Sequence, residues 1–227
     1  MKKLSLILFS FMTVLFLASC GNKPDEEKNA EVGEAGEIDE NAGANATTYI
    51  IDTEASNVRW EGFKSVGYSH WGPVDISEGT IGVEGDKIVS GSFTIDMTSI
   101  QSEDLAEDQE KHDKLIGHLG SDDFFSVSSH PTSTFQIQSV EMGSPATVTG
   151  NLTIKGITKS ITFPAEITMD GNSLHATADF NIDRTNWDIV YSSASVFDDL
   201  GDDFIKDEMN IQLDIHANAA DATASAE

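Results

Sequence analysis

Side chains that could do chemistry are scarce in this chain of 227 residues, and their spacing serves little of it. The only thiol is Cys20, so an intramolecular disulfide framework is excluded. Six histidines, His70, His112, His118, His130, His175 and His216, show no His-Glu-x-x-His or other close ligand spacing, and no metal site is expected. There is no Gly-x-Ser-x-Gly elbow, and the paired acids Asp198-Asp199 and Asp202-Asp203 lack the alternating ligands of a calcium loop. A lipid hydrolase or isomerase would need an acid–base pair on the inward positions described below, and they hold none. The chain therefore reads as a binding protein with no catalytic residue and no cofactor. Its formal charge of −26 excludes nucleic acid as a partner, because phosphate backbones are held by Lys and Arg.

Cys20 takes its meaning from what precedes it. Lys2 and Lys3 lead into an unbroken apolar run, Leu4 to Leu17, in the order of a secretory signal. The run is shorter than the roughly 20 residues a spanning helix needs. The junction Leu17-Ala18-Ser19-Cys20 resembles the bacterial lipobox, which makes residues 1–19 a signal peptide and Cys20 the site of diacylglyceryl attachment to a membrane. Residues 20–48 carry eight acids against Lys23 and Lys28 and no aromatic residue, so a disordered, self-repelling tether is expected. Its start, Lys23-Pro24-Asp25-Glu26-Glu27, is similar to the acidic export signals of Bacteroidetes surface lipoproteins. The location these features imply is the outer membrane of a bacterial envelope, periplasmic or surface-facing. The Ala-rich stretch 217–227 reads as a disordered tail.

Residues 49–216 form one domain with nine basic and 29 acidic side chains, a net −20. Nearly all of it alternates with period two, the mark of strands with one buried face. Examples are Val89, Gly91, Phe93, Ile95 and Met97, then Ile161, Phe163, Ala165 and Ile167, then Leu174, Ala176, Ala178, Phe180 and Ile182. Further strands are expected at Ile76–Val83 and Trp187–Tyr191, with turns at Glu84-Gly85-Asp86, Lys155-Gly156 and Asp170-Gly171-Asn172. One helix is predicted over residues 102–119, with Ser102 as its N-cap and acids before bases along its length. The fold class is all-β: an extended antiparallel barrel of about eight strands with one helix. Edge strands near Tyr49 and Ile215 offer a route to a homodimer.

Four motifs, in order along this domain, resemble the YceI-like family of lipid-binding proteins. They are Trp60-Glu61-Gly62-Phe63-Lys64 with Gly67-Tyr68-Ser69-His70-Trp71-Gly72; Leu119-Gly120-Ser121-Asp122-Asp123-Phe124-Phe125 with His130-Pro131-Thr132; Gly150-Asn151-Leu152-Thr153-Ile154-Lys155-Gly156-Ile157-Thr158-Lys159; and Ile182-Asp183-Arg184-Thr185-Asn186-Trp187. The resemblance implies a lipocalin-like barrel whose apolar lumen holds a polyisoprenoid chain, a quinone tail or a polyprenyl phosphate. The residues expected to touch that chain are Trp60, Phe93, Ile95, Met97, Phe124, Phe125, Phe135, Leu152, Phe163, Phe180, Trp187 and Tyr191. His70, Trp71 and Arg184 are expected at the rim, toward a head group, though a hydrogen-bonded pair fixing a strand-end turn is the favoured role for Asp183 and Arg184. Small inward residues, Gly62, Gly91, Gly150, Ala165, Ala176 and Ala178, either leave space for a ligand or match the taper of a packed core. In the packed case the alternative is an adhesion or scaffolding module that uses outward threonines such as Thr149, Thr153, Thr162 and Thr168.

Overall fold

A computed structural model describes residues 28–220. The signal segment, Cys20, the acidic start of the tether and the end of the tail lie outside the described residues. Ten strands are present: β1 (Glu31–Glu34), β2 (Thr47–Ile51), β3 (Asn57–Lys64), β4 (Ser69–Glu84), β5 (Lys87–Asp96), β6 (Thr132–Glu141), β7 (Ala146–Ile154), β8 (Ile157–Asp170), β9 (Ser173–Asp183) and β10 (Ile205–Ala219). The one α-helix among the described residues, α1 (Gln109–Leu119), lies between β5 and β6. Strands β3 to β10 pair antiparallel in chain order, and β10 returns to β3, closing an eight-stranded barrel.

The register shows why the alternation reads as it does. Phe93 faces Phe135, Phe135 faces Leu152, Gly150 faces Ile161, Ile167 faces Ala176, Ala178 faces Leu213 and Ile211 faces Trp60. Residues directly opposite across an antiparallel pair share a face, so each apolar set continues its neighbour's around the wall. The hairpin between β7 and β8 turns on Lys155 and Gly156, both at positive φ, the two-residue geometry that matches strand twist.

Several expectations are corrected. The segment read as tether contributes β1, whose Val32 faces Ile161 and whose approach bridges Asn29 to Asn181 of β9. Strand β8 pairs with β9 only over Glu166–Asp170, and where the two diverge β1 occupies the open edge of β8. The buried Asn151 side chain clamps Gly36 by receiving its N–H at 3.0 Å and donating to its carbonyl at 2.8 Å, while Lys159 pairs with Glu34 at 2.8 Å. A polar segment can enter a sheet this way because the backbone bonds come from an unfilled edge, not from apolar content. The strands near Tyr49 and Ile215 lie inside the sheet: Tyr49 pairs with both Ile81 and Ala219, and Ile215 with Ala176. Strand β10 runs to Ala219 and buries Ala217 opposite Ile51, past the expected start of the tail.

The helix begins seven residues later than predicted. Gln101 donates its amide to Pro73 and Glu103 to Trp71, so this stretch is bound to β4 and cannot enter a helix. Buried Ser102 bonds to Asp104 instead of capping, and Asp108 is the N-cap, accepting from the Lys111 amide. Trp187–Tyr191 is not a strand either; Arg184–Trp187 forms a 3₁₀ turn that ends at Asp188 in the left-handed region.

Candidate functional site

The barrel interior holds a cavity of about 180 Å³. It runs from Trp60, Ile100 and Phe125 at the helix-bearing end to Ile81, Ile88 and Leu174 near the opposite hairpins. Only Trp60, Ser133 and Thr177 among its lining residues carry a side-chain nitrogen or oxygen, the Trp60 indole N–H is given to the Gln101 carbonyl at 3.1 Å, and among the described residues no buried side-chain nitrogen or oxygen lacks a partner. A charged or multiply polar group placed here would find at most the Ser133 and Thr177 hydroxyls to bond to and would not recover its desolvation cost. The volume exceeds the ~150 Å³ apolar cavity that accepts benzene, so a short hydrocarbon fits directly. A longer chain fits only as flexible lining residues such as Met97 and Met209 move aside.

Four aromatic rings form a band across this lumen. Phe93 and Phe135 lie 6.3 Å apart between centroids, Phe135 and Phe163 5.8 Å, and Phe163 stacks on Phe180 at 4.1 Å. The band crosses β7 at Gly150. A Cβ there would collide with the Phe135 ring, so the missing side chain is what lets Phe135 lie over β7 and reach Phe163. Gly91 is likewise covered by Ile137, while Gly62 does not border the cavity. The expectation that inward glycines supply the free volume is thus corrected: neighbouring rings and methyls spread over Gly91 and Gly150, and the space is left at Ala165, Ala176 and Ala178.

Of the residues expected to touch a ligand, Trp60, Phe93, Ile95, Met97, Phe125, Phe135, Leu152, Phe163 and Phe180 line the cavity. Phe124, Trp187 and Tyr191 do not. Phe124 and Tyr191 pack with His118 outside the barrel, with ring centroids 4.7–5.7 Å apart. Trp187 is fully buried and donates its indole N–H to the Leu152 carbonyl at 3.1 Å, so it seals the wall from behind. Ile100 and Ile88 also line the lumen; Ile100 follows a 3₁₀ turn, where no alternation could reveal it.

The three residues expected at the rim are all engaged within the protein. His70 and Trp71 belong to the first residues of β4. His70 Nδ1 lies 2.7 Å from Asp104, which also accepts from the Ser102 hydroxyl at 2.8 Å and the Trp71 amide at 3.2 Å. The Trp71 ring lies 5.8 Å from the Arg59 guanidinium, which pairs with Glu103. Arg184 is buried and donates to the carbonyls of Ile189, Ile205 and Lys206 at 2.5–3.0 Å, so no donor set is turned toward a head group. Burial pulls its pKa down while Asp207 and Asp183 oppose that, and the guanidinium stays charged.

The Asp104 network anchors the strap that covers the helix-bearing end. Burial pushes the Asp104 carboxyl up, but hydrogen bonds from Ser102, His70 and the Trp71 amide outweigh it and hold it below its usual range. A lowered folded-state pKa gives stability that is present above the unfolded value, about 3.9, and is lost as the pH falls through the folded value. Asp104→Asn should therefore cost about 1–2 kcal/mol at pH 7, the difference between charged and neutral hydrogen bonds. In denaturant titrations that gap should close as the pH drops below about 4; a gap that stays constant down to pH 2 would contradict the assignment.

A closed eight-stranded antiparallel barrel around an apolar lumen, with one short helix at an end, defines the lipocalin-like class of fold. Residues 49–217 match the YceI-like domain model, and the chain belongs to that family. It is 36% identical over 92 residues to a UPF0312 protein of Pseudomonas paraeruginosa, a match over 36% of this chain and 47% of the relative, so about half of that relative's length is spanned. Among solved structures, Burkholderia cenocepacia BcnA is similar with a TM-score of 0.60 at 21% identity, over 74% of this chain and 99% of that one. A polyisoprenoid binding domain from Saccharophagus degradans gives 0.55 at 11% identity, over 77% and 99%. At such identities these likenesses speak for the fold.

Proposed function

We propose that the barrel binds the hydrocarbon chain of a polyisoprenoid lipid, of the quinone or polyprenyl phosphate type, and performs no catalysis. The observation that carries this is the cavity itself: it is walled almost wholly by apolar side chains, extends along the barrel, and has no charged residue in its lining for a head group to meet. The Saccharophagus degradans neighbour, described as polyisoprenoid binding, supports the same chemistry for the same fold. The packed, ligand-free barrel required by a purely adhesive module is not what the interior looks like.

In this reading diacylglyceryl-Cys20 holds the domain at the outer membrane of a bacterial envelope. Lipidation puts several acyl chains on one residue, enough for stable anchoring where one chain would be marginal. The net charge of −20 on residues 49–216 keeps the barrel from adhering to anionic lipid. Full-length protein extracted from membranes should carry a prenyl lipid, visible by native mass spectrometry and in the organic extract. Delipidated protein should take up added polyprenol with a stoichiometry near one. An extract free of prenyl lipid, together with no uptake of polyprenol, would reject the proposal.

A further inference from the structure

On the outer wall, away from the lumen, β9 brings His175 beside Asp214 and His216 of β10, from which it is far apart in sequence. His175 stands directly opposite His216 in the β9–β10 register, and Asp214 precedes His216 by two residues, on the same face of β10. The two imidazoles stack with centroids 4.3 Å apart and planes 17° from parallel. Both turn Nε2 toward one carboxylate oxygen: Asp214 Oδ1 lies 2.7 Å from Nε2 of His175 and 3.2 Å from Nε2 of His216. Donor atoms from all three residues fall within 4.8 Å of one another.

We propose that His175, Asp214 and His216 bind a borderline divalent transition-metal ion, with Zn²⁺ as the reference case, on the outside of the barrel. Two imidazole nitrogens and one carboxylate oxygen are a donor set for zinc, copper or nickel and a poor one for calcium or magnesium, which require mostly oxygen. The convergence of both Nε2 atoms on one oxygen means that a small rotation of the Asp214 carboxylate places all three donors around a common point. The fourth position falls to water, because the site is open: the three side chains are 45%, 55% and 41% exposed. No buried passage is needed, and the acidic surface raises the local concentration of cations. Spacing rules that look for ligands within one element pass over this site, since one ligand comes from a neighbouring strand. The ion would clip β9 to β10 without touching the lumen, and the proposal is independent of what the barrel carries.

The test is calorimetric titration of the full-length, tag-free protein with zinc chloride. One ion per chain is expected, with a Kd on the order of 10 μM, and calcium chloride should give no saturable heat. His175→Ala, at an exposed position, and His216→Ala, at a half-buried one, should each weaken zinc by at least about tenfold. His118→Ala, a histidine beside an acid elsewhere, should leave it unchanged. With Cu²⁺, electron paramagnetic resonance should report two equatorial nitrogens, falling to one in either variant. No saturable zinc heat, or full zinc affinity in both variants while circular dichroism shows an intact fold, would overturn the site.

Discussion

Replacing Ala178 by Phe should abolish binding of a prenyl chain and leave the barrel folded. Ala178 lies on β9 opposite Leu213, borders the cavity, and is only half-buried because its free surface faces that space. A phenyl group occupies most of a volume near 180 Å³, judged by the ~150 Å³ in which benzene is bound. The lost room is not regained on the side of the aromatic band, whose rings are already in contact, and what Met97 and Met209 yield is already needed by the prenyl chain itself. Affinity for a fluorescent prenyl probe should fall at least tenfold, about 1.4 kcal/mol. Thermal stability should hold or rise, because filling an existing cavity commonly adds about 0.5–2 kcal/mol. Unchanged affinity in a folded Ala178→Phe protein would place the ligand outside the lumen.

Trp187→Ala should be the most damaging single change to the fold. The side chain has no exposed surface, sits on a 3₁₀ turn packed between β8 and β10, and gives its indole proton to the Leu152 carbonyl. Truncation removes the largest fully buried side chain among the described residues and leaves a cavity that rigid strands cannot collapse into. A cost of about 3–5 kcal/mol is expected. For a domain of this size that lowers Tm by roughly 6–20 °C. Trp187→Phe keeps most of the volume and loses the hydrogen bond, so its penalty should be about half as large or less. A fall of under about 1 kcal/mol for Trp187→Ala in urea titrations would show that this turn is not part of the cooperative core.

Much of the wall was legible because strand alternation is local. The residues of β5, β8 and β9 carry their inside and outside in each dipeptide, and Phe93, Phe163 and Phe180 could be placed on the inner face from parity alone. The hairpin at Lys155-Gly156 was legible for a similar reason, since two adjacent residues hold the whole turn. The helix was legible at its C-terminal half, where Leu115, Ile116 and Leu119 pack on the core, and misplaced at its start. Capping chemistry at Ser102 and at Asp108 looks alike in sequence, and only the bonds of Gln101 and Glu103 to β4 decide between them.

Other features depend on which distant segments meet. Glu31–Glu34 has too little apolar content to announce a strand, and becomes one because β8 and β9 diverge beside it. Arg184 looked available to a head group until the start of β10 and the chain after Trp187 turned three carbonyls toward it. Gly150 looked like empty space until Phe135, from the neighbouring strand, covered it.

By itself, then, the sequence determined an acidic all-β domain with a separate apolar face, because charge, composition and period two are properties of neighbours along the chain. The tertiary structure alone decided where the volume lies, which polar groups are spent inside the protein, and that His175 meets His216. Those outcomes follow from the register between strands and from barrel closure, which set distances between residues that composition and local pattern leave unconstrained.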